Sequence, residues 1–243
     1  MLFRSLGKIS FVIPAYNEEK YISKTIEAIL RQPSELVKEI IVADNNSTDK
    51  TAEIAGGYSK VKVIRAKNSG TNWARQTGLE IATGEIIAFI DADTQVTPGW
   101  SEKVIKILSS PKVVAVSGPY VFTDTSWFMH RWMLYSFLLV AIPISIVFNY
   151  ILGIGNVVTG GNMAAKRDAL LKIGGLDTSF TFFGDDTNTG KRLRKVGYVN
   201  YSPSLRAVSS SRRFQKTGLF NTTWKYFINF FWTIFFDKPF TNN

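Results

Sequence analysis

An apolar run that ends in two acids, at residues 86–93, constrains the fold more than any other stretch of this sequence. Its first five residues are apolar, which is typical of a short strand buried on both faces of a parallel sheet. Asp91 and Asp93 follow at once, separated by one alanine. In open α/β sheets, ligands bind just beyond the carboxyl ends of the strands. The run therefore predicts a buried strand that ends in two carboxylates at a ligand site.

Two carboxylates at a strand end allow two interpretations. They form a pair of hard oxygen ligands suited to Mg²⁺ or Mn²⁺, and an ion held in this way commonly neutralises substrate phosphates. They are equally compatible with two solvated acids in a turn. The pair by itself favours neither interpretation, so the rest of the chain has to decide between them.

Strand and helix patterns alternate through the first half of the chain. The predicted strands cover residues 9–13, 39–43, 61–64, 86–90 and 113–116. The predicted helices between them cover residues 18–30, a short segment opened by Thr48 and Asp49, 70–82 and 98–108. This alternation favours an α/β fold with a mostly parallel sheet covered by helices on both faces. Beyond residue 118 we expect a strand within 157–165 and helices at 167–173 and 187–196.

Composition excludes several kinds of site. The chain has no cysteine and one histidine, which excludes disulfides, thiolate metal sites and multi-histidine zinc sites. Its formal net charge of +10 suits an anionic partner, such as a nucleotide, a nucleic acid or an anionic membrane surface. No known nucleic-acid-binding motif is present, and the aromatic residues cluster in apolar segments rather than between basic ones. We therefore expect no nucleic-acid partner.

Four further motifs accompany the acid pair. They are VIPAYNE at 12–18, VADNNSTD at 42–49, GTNWARQTG at 70–78, and GGNM at 160–163 followed by GGLD at 174–177 and FGDD at 183–186. In this order and spacing the set resembles family 2 glycosyltransferases, over roughly residues 8–210. The resemblance implies a GT-A fold, which is a Rossmann-like, mostly parallel sheet flanked by helices. It also implies a metal-dependent, inverting enzyme that uses a nucleotide-diphosphate sugar.

The resemblance assigns roles to individual positions. Asp93 would bind Mg²⁺ or Mn²⁺, and Asp186 would be the catalytic base. Gly161, Asn162 and Asp185 would belong to the loops around the acceptor or the donor sugar. The residues that would bind the nucleotide donor are Pro14, Ala15, Tyr16, Glu18, Asp44, Asn45, Arg75 and Asp91.

Two departures from the family pattern limit the prediction. Asn45 stands where the family usually has a second acid. An amide can donate a hydrogen bond as well as accept one, so the identity of the donor's nucleobase is left open. Arg212 and Arg213 lie in a basic-aromatic segment that in processive synthases reads Gln-x-x-Arg-Trp, but the glutamine and the tryptophan are absent. This argues against a polymerising synthase. The two arginines are either diphosphate contacts or part of a solvated turn.

The chemistry of sugar transfer is compatible with these roles. The leaving diphosphate must be neutralised, and the acceptor hydroxyl must lose a proton to a carboxylate within hydrogen-bond reach. One base opposite the leaving group implies direct displacement with inversion. Alone, Asp185 and Asp186 would be interpreted as acids that stabilise a helix N-terminus. The other motifs favour the catalytic interpretation.

Two apolar segments predict contact with a membrane. Residues 133–154 carry no charge and are long enough to cross a bilayer once. A single crossing would separate Asp93 from Asp186, so we expect an interfacial hairpin or an apolar flap within an insertion at about 127–155. In the tail, aromatic residues recur at helical spacing over 219–240 beside basic ones, which suits a membrane interface. Packing of the two segments on each other, or a dimer interface, is the alternative.

These observations give one domain, residues 1–210, and a basic-aromatic C-terminal segment, residues 211–243. The first residues lack a signal peptide pattern, so we expect a peripheral or monotopic protein on the cytoplasmic side of the cell membrane. The expected acceptor is a glycan or a lipid-linked glycan. Two alternatives remain: transfer onto a polyprenyl phosphate, and a catalytically silent nucleotide-sugar binding protein.

Overall fold

The computed structural model describes residues 7–136, 139–140, 142–155, 158–180, 183–238 and 240. Its strands are β1 Ile9–Ala15, β2 Val37–Asp44, β3 Val61–Arg65, β4 Ile86–Ile90, β5 Thr94–Val96, β6 Val113–Ser117, β7 Tyr120–Phe122, β8 Asn162–Lys166, β9 Tyr198–Tyr201 and β10 Ala207–Ser209. Its α-helices are α1 Ile22–Leu30, α2 Thr51–Gly56, α3 Thr71–Ile81, α4 Trp100–Leu108, α5 Trp127–Ser136, α6 Ile142–Ser145, α7 Arg167–Lys172, α8 Asp185–Arg194, α9 Arg212–Thr217 and α10 Leu219–Phe236. A π-helical turn, Ile146–Ile151, follows α6.

A seven-stranded sheet forms the centre of the molecule, in the order β3-β2-β1-β4-β8-β6-β9. All neighbouring pairs are parallel except those of β8, which runs antiparallel to both β4 and β6. A smaller sheet, β5-β10-β7, lies after the carboxyl end of β4. The predicted α/β class and the mostly parallel sheet are confirmed.

Successive side chains of the central strands enter two different cores. Ile86, Ala88 and Ile90 pack into one hydrophobic cluster, whereas Ile87 and Phe89 pack into the other. This alternation is what a strand covered on both faces requires, because neighbouring side chains point to opposite sides. The apolar run of the sequence thus became a strand with no exposed side chain.

Several element boundaries differ from the prediction. Pro14 does not end the first strand, since β1 continues to Ala15; the ring removes one donor but fits the extended backbone. Helix α2 begins at Thr51 and not at Thr48, because Asp49 accepts hydrogen bonds from the backbone and the hydroxyl of Thr51. The expected strand within 157–165 is β8, which begins only at Asn162.

The apolar segment at 133–154 includes several short helical elements among its described residues. It comprises the end of α5, the short α6 and the π-helical turn, with residues 137, 138 and 141 outside the described part of the chain. In the described residues, no helix is both long enough and apolar enough to cross a bilayer. Helices α9 and α10 occupy the predicted C-terminal segment, and the proposed boundary at residue 210 stays a prediction.

Candidate active site

The carboxyl ends of β1, β2 and β4 bring three of the sequence motifs to one edge of the sheet. Ala15 at the end of β1 pairs in register with Asp44 at the end of β2. Strand β4 lies on the other side of β1, and Asp91 follows its last residue. Pro14 and Ala15 are buried in β1, whereas Tyr16 is exposed at the rim of this edge.

The loops after β1 and β2 are tied together by hydrogen bonds. The side-chain oxygen of Asn17 accepts from the backbone N–H of Thr48 at 2.8 Å, and the backbone N–H of Glu18 donates to the hydroxyl of Thr51 at 2.7 Å. Asn17 has a φ of 54°, a left-handed conformation that asparagine tolerates better than most residues. The two loops therefore form one rigid rim.

Asp44 and Asn45 have distinct local partners. The carboxylate of Asp44 accepts from the backbone N–H of Ser47 at 3.2 Å, in the same rim. The side-chain oxygen of Asn45 accepts from the backbone N–H of Gly70 at 3.1 Å, just before α3. Asn45, the departure from the family pattern, thus links β2 to the start of α3.

Arg75 on α3 joins carboxylates from two distant parts of the chain. Its guanidinium lies 2.8 Å from Asp91, 2.9 Å from Asp185 and 3.6 Å from Asp186. Burial alone would lower the pKa of Arg75, but the charges of the three acids outweigh it and raise the pKa above its ordinary value. The guanidinium is therefore a fixed cation between the acid pair of β4 and the first turn of α8.

The two acids that begin α8 are crowded and buried. Burial and the neighbouring Asp186 raise the pKa of Asp185 to about 8, against the effect of Arg75. Burial also raises the pKa of Asp186, although Arg75 and a hydrogen bond from the backbone N–H of Gly160 at 2.9 Å oppose this. Burial thus makes both carboxylates more basic than solvated ones, and Arg75 opposes this effect at each of them.

Gly160 and Gly161 allow these carboxylates to lie directly against the backbone. A Cβ on Gly160 would lie 1.9 Å from a carboxylate oxygen of Asp186, and a Cβ on Gly161 would lie 2.0 Å from the carboxyl carbon of Asp91. Asn162 supports this turn from the interior: it is fully buried, accepts from the indole of Trp100 and donates to the carbonyl of Leu205. The predicted loop residues are therefore brought to the acids, with Asn162 behind them.

Arg212, from the beginning of α9, lies on the second acid of the β4 pair. Its guanidinium is 3.1 Å from Asp93, bonds Glu18 and stacks 4.8 Å from the ring centre of Tyr21. Burial, Asp91 and Glu18 raise the pKa of Asp93 to about 6, even though Arg212 opposes them. The other carboxylate oxygen of Glu18 is buried without a partner in the described structure. A single guanidinium, that of Arg212, thus contacts two carboxylates in this corner of the site.

Arg213 lies on the other side of the same turn. It donates to the hydroxyl of Tyr226 on α10 at 2.6 Å, and the charges of Asp91 and Asp93 contribute to raising its pKa. The predicted basic pair is therefore brought to the acids by the C-terminal helices rather than left in a separate solvated turn.

The donor atoms around Asp93 fit a divalent ion only in part. Among the described residues, no group of three or more histidine, cysteine or acidic side chains has the geometry of a metal site. Mg²⁺, however, is commonly held by one or two carboxylates together with substrate phosphates. Asp93 has the buried, negatively charged surroundings that a cation would relieve. The residues therefore fit an ion that binds with a diphosphate, but not an ion held by the protein alone.

One residue of this site escaped the sequence analysis. Tyr120 on β7 donates its hydroxyl proton to Asp91 at 3.0 Å. The available signal was a tyrosine four residues beyond the predicted strand at 113–116, after Gly118 and Pro119. A three-residue strand has too little periodicity to be recognised, so this signal was not used.

Comparison with known proteins agrees with the motifs. The family model described as glycosyl transferase family 2 matches residues 10–174. Glycosyltransferase AglE of Haloferax volcanii is 35% identical over 125 residues, which cover 49% of this chain and 41% of that protein. Glucosyl-dolichyl phosphate glucuronosyltransferase of the same organism is 29% identical over 187 residues, covering 73% of this chain and 58% of that protein. The chain thus spans about half the length of these relatives.

Solved structures share the fold. Mannosyltransferase PcManGT from Pyrobaculum calidifontis, in complex with GDP-Man and Mn²⁺, aligns with a TM-score of 0.67 and 24% identity over 90% of this chain and 59% of its own. Glucosyl-3-phosphoglycerate synthase from Mycobacterium tuberculosis, in complex with Mn²⁺ and UDP-Glc, aligns with a TM-score of 0.61 and 20% identity over 91% of this chain and 78% of its own. At this identity the likeness concerns the fold alone, and it confirms the predicted GT-A architecture.

Proposed function

The chain belongs to glycosyl transferase family 2, and from that premise we propose that it transfers a sugar from a nucleoside diphosphate to an acceptor hydroxyl, with inversion at the anomeric carbon. The observation that carries this proposal is the guanidinium of Arg75, which lies 2.8 Å from Asp91 and 3.6 Å from Asp186. Asp91, which we assign to the donor, and Asp186, the candidate catalytic base, thereby lie close to the same buried guanidinium. Such prior orientation is what a transfer between two bound substrates requires.

The donor occupies the carboxyl edge of the sheet in this proposal. In the rigid rim formed by the loops after β1 and β2, Asp44 would bind the nucleobase of the donor. The exposed ring of Tyr16 would pack on the nucleobase or on a sugar. Two solved structures of this fold are complexes with GDP-Man and with UDP-Glc. The residues that we propose for donor binding are Pro14, Ala15, Tyr16, Glu18, Asp44, Asn45, Arg75 and Asp91.

Asp186 accepts the proton in the proposed step. The acceptor oxygen attacks the anomeric carbon while the bond from that carbon to the diphosphate oxygen breaks. The acceptor proton passes to the carboxylate of Asp186, and the nucleoside diphosphate leaves with the bonding electrons. A carboxylate whose pKa is raised by burial is a stronger base than a solvated one, which suits this role. Gly161 and Asp185 border the space in which the sugar and the acceptor would meet.

Asp93 would hold Mg²⁺ or Mn²⁺ together with the diphosphate. When bound, such an ion neutralises charge on the leaving diphosphate. Arg212 and Arg213 add two fixed cations beside Asp93, and a guanidinium can bind phosphate oxygens through two hydrogen bonds. Two solved structures with this fold are complexes with Mn²⁺ and a nucleotide sugar, which supports metal dependence here.

We also propose that the protein works at a membrane surface, because α10 buries several polar side chains and exposes several aromatic ones. Thr222, Asn229 and Thr233 are at most 2% exposed, whereas Phe220 and Phe235 are 74% and 64% exposed. A helix on a water-facing surface has the opposite arrangement. The aromatic outer face of α10 is therefore suited to the boundary between headgroups and acyl chains.

Further apolar side chains extend this surface. Trp127, Leu139 and Ile151, from the insertion, are each at least 70% exposed, and α10 itself carries one cation, Lys225. An aromatic and basic surface favours anionic lipids. A lipid-linked glycan fits this surface as the acceptor, and one relative is named for transfer to glucosyl-dolichyl phosphate. The side of the membrane stays a prediction.

The experiment that tests the chemistry is a melting-temperature panel of nucleoside diphosphate sugars with Mn²⁺, Mg²⁺ or EDTA. A ligand that binds only the folded state stabilises it by mass action and so raises the melting temperature. At a free ligand concentration of about one hundred times the Kd, this stabilisation is about 3 kcal/mol. We expect one donor class to give a metal-dependent increase, and the product made from that donor to have the inverted anomeric configuration. Absence of any increase, or a product with retained configuration, contradicts the proposal.

A vesicle co-sedimentation assay tests the membrane part separately. We expect the protein to bind vesicles that contain anionic lipid and to bind less at high salt, since surface charges are screened. Protein that stays monomeric and unbound in the presence of such vesicles contradicts membrane association, while the donor panel remains informative.

A further inference from the structure

Among the contacts described above, Tyr120 is the one neutral side chain that donates a hydrogen bond to Asp91, the first acid after β4. Strand β7 lies in the small sheet, parallel to β10, and directs the hydroxyl of Tyr120 to one carboxylate oxygen of Asp91 at 3.0 Å. The other oxygen accepts from the guanidinium of Arg75 at 2.8 Å. Both oxygens of Asp91 are therefore fixed by donors from two different elements, Arg75 on helix α3 and Tyr120 on strand β7 of the small sheet.

The backbone opposite this carboxylate leaves room for both groups. A Cβ on Gly161 would lie 2.0 Å from Asp91 and 2.4 Å from the hydroxyl of Tyr120. Such distances are far below van der Waals contact, so the close approach of carboxylate and phenol depends on a glycine at this position. The hydrogen bond is thus part of a built arrangement and not a contact between two mobile surface side chains.

The ring of Tyr120 also connects Asp91 to the C-terminal helices. It packs on Phe122 with ring centres 5.9 Å apart, and Phe122 packs on Phe214 at 5.6 Å. Phe214 belongs to α9, the helix whose first residue, Arg212, lies 3.1 Å from Asp93. The aromatic row Tyr120–Phe122–Phe214 therefore connects the two acids. Tyr120 donates its hydroxyl proton to Asp91, and Phe214 belongs to the helix whose Arg212 contacts Asp93.

We propose that Tyr120 is a positioning residue of the donor site, which fixes the carboxylate of Asp91 for the nucleoside diphosphate while its ring holds α9 in place. The inference rests on the proposed use of a nucleotide donor. Tyr120 acts only through Asp91 and does not touch the reacting atoms. Its hydroxyl stays a donor, because burial and the nearby acids raise its pKa well above the ordinary value.

The variant Tyr120→Phe separates the hydrogen bond from the packing, since the ring and its contact with Phe122 are retained. A hydrogen bond to a charged group contributes about 1.5–3 kcal/mol. We expect the Kd for the nucleoside diphosphate with Mn²⁺, measured by calorimetry, to rise about tenfold or more. We expect the donor KM to rise in parallel, kcat to change less than about threefold, and the melting temperature without ligand to stay close to that of the wild type.

Tyr58→Phe is the matched control. The hydroxyl of Tyr58 also donates to a carboxylate, that of Glu27 at 3.3 Å, but this pair is exposed and lies between α1 and the end of α2. We expect the control to bind the nucleoside diphosphate as the wild type does. Tyr120→Phe that binds like the wild type, or a control that loses as much affinity, overturns the inference.

A double variant tests whether Tyr120 works through Asp91. Coupled residues give non-additive effects, so adding Tyr120→Phe to Asp91→Asn should weaken nucleoside diphosphate binding less than twofold further. Full additivity means that Tyr120 acts elsewhere, and the inference then fails. Wild-type protein that binds neither nucleoside diphosphates nor nucleotide sugars refutes the proposed function and this inference together. Wild-type binding with an unaffected Tyr120→Phe refutes this inference alone.

Discussion

The carboxyl edge of the central sheet and the C-terminal helix α10 bury opposite kinds of side chain. Below the edge, β1 and β4 have an apolar interior, and their polar groups collect where the strands end. In α10, Thr222, Asn229 and Thr233 are buried together with Ile234, while Phe220, Trp224 and Phe235 are exposed. Burial of apolar surface away from water explains the first arrangement. It does not explain the second, for which we propose contact with a membrane surface.

Helix α8 connects the two regions. It begins with the candidate catalytic acids, Asp185 and Asp186, and its later turns carry cations that hold the apolar elements. Lys191 donates to the carbonyl of Ile234 at the end of α10, and Arg194 donates to the carbonyl of Asn149 in the π-helical turn. The basic residues after the acids are therefore anchors for the outer elements.

The largest expected effect concerns the acid end of α8. Asp186→Asn removes the proposed base without changing size, so we expect kcat to fall by about 10²–10⁴ while donor affinity stays within about threefold. Asp168→Asn is the control, because Asp168 also lies in the first turn of a helix but is exposed and remote from the acids. A loss of less than about tenfold would favour an acceptor that is already ionised, such as a polyprenyl phosphate.

A second prediction concerns the glycine turn at the sheet edge. Gly161→Ala places a methyl group 2.0 Å from the carboxyl carbon of Asp91, so Asp91 or the backbone must move. Overpacking of this kind costs about 1–3 kcal/mol, and we expect a tenfold or larger loss of donor affinity in titrations. Gly56→Ala in α2 is the control, since a Cβ there meets nothing within 4 Å. Equal donor affinity in both variants would mean that the position of Asp91 is unimportant.

The third prediction tests the reversed polarity of α10. Trp224→Ser combined with Phe235→Ser removes two exposed aromatic rings, each of which contributes about 1–2 kcal/mol when buried in lipid. We expect vesicle affinity to fall about tenfold or more. Thr233→Val, on the inner face, should leave vesicle affinity within about twofold. If the inner variant loses more than the outer one, the helix faces the membrane in another orientation or does not face it at all.

Sequence reasoning located the strands and most of the site because both depend on short-range patterns. Residues 86–90 could be predicted as a strand from five consecutive apolar residues, and Asp91 and Asp93 as ligand candidates from their place after it. The ion pair between Arg75 and Asp185 joins positions 110 apart, and no local pattern encodes it. The small sheet was missed since β5, β7 and β10 have three residues each. The buried polar side chains of α10 were also beyond prediction, as helical spacing of aromatic residues does not reveal what the opposite face packs against.

The smallest expected effect is a pH dependence of stability at the sheet edge, which has no counterpart in α10. Burial, Asp91 and Glu18 raise the pKa of Asp93 from 3.8 to about 6 in the folded protein. The folded state therefore holds this proton more tightly than the unfolded chain does. Its contribution to the free energy of unfolding is fully present below about pH 4 and is lost as the pH rises through about 6.

In Asp93→Asn this contribution is absent. We expect urea unfolding of the ligand-free proteins to give a wild-type curve that falls relative to the variant by on the order of 1–2 kcal/mol between pH 4 and 7. If the free energies of unfolding of the two proteins change in parallel with pH, Arg212 already neutralises the charge of Asp93 completely. The edge of the sheet then has no unbalanced charge that a ligand could neutralise, and in this respect it does not differ from α10.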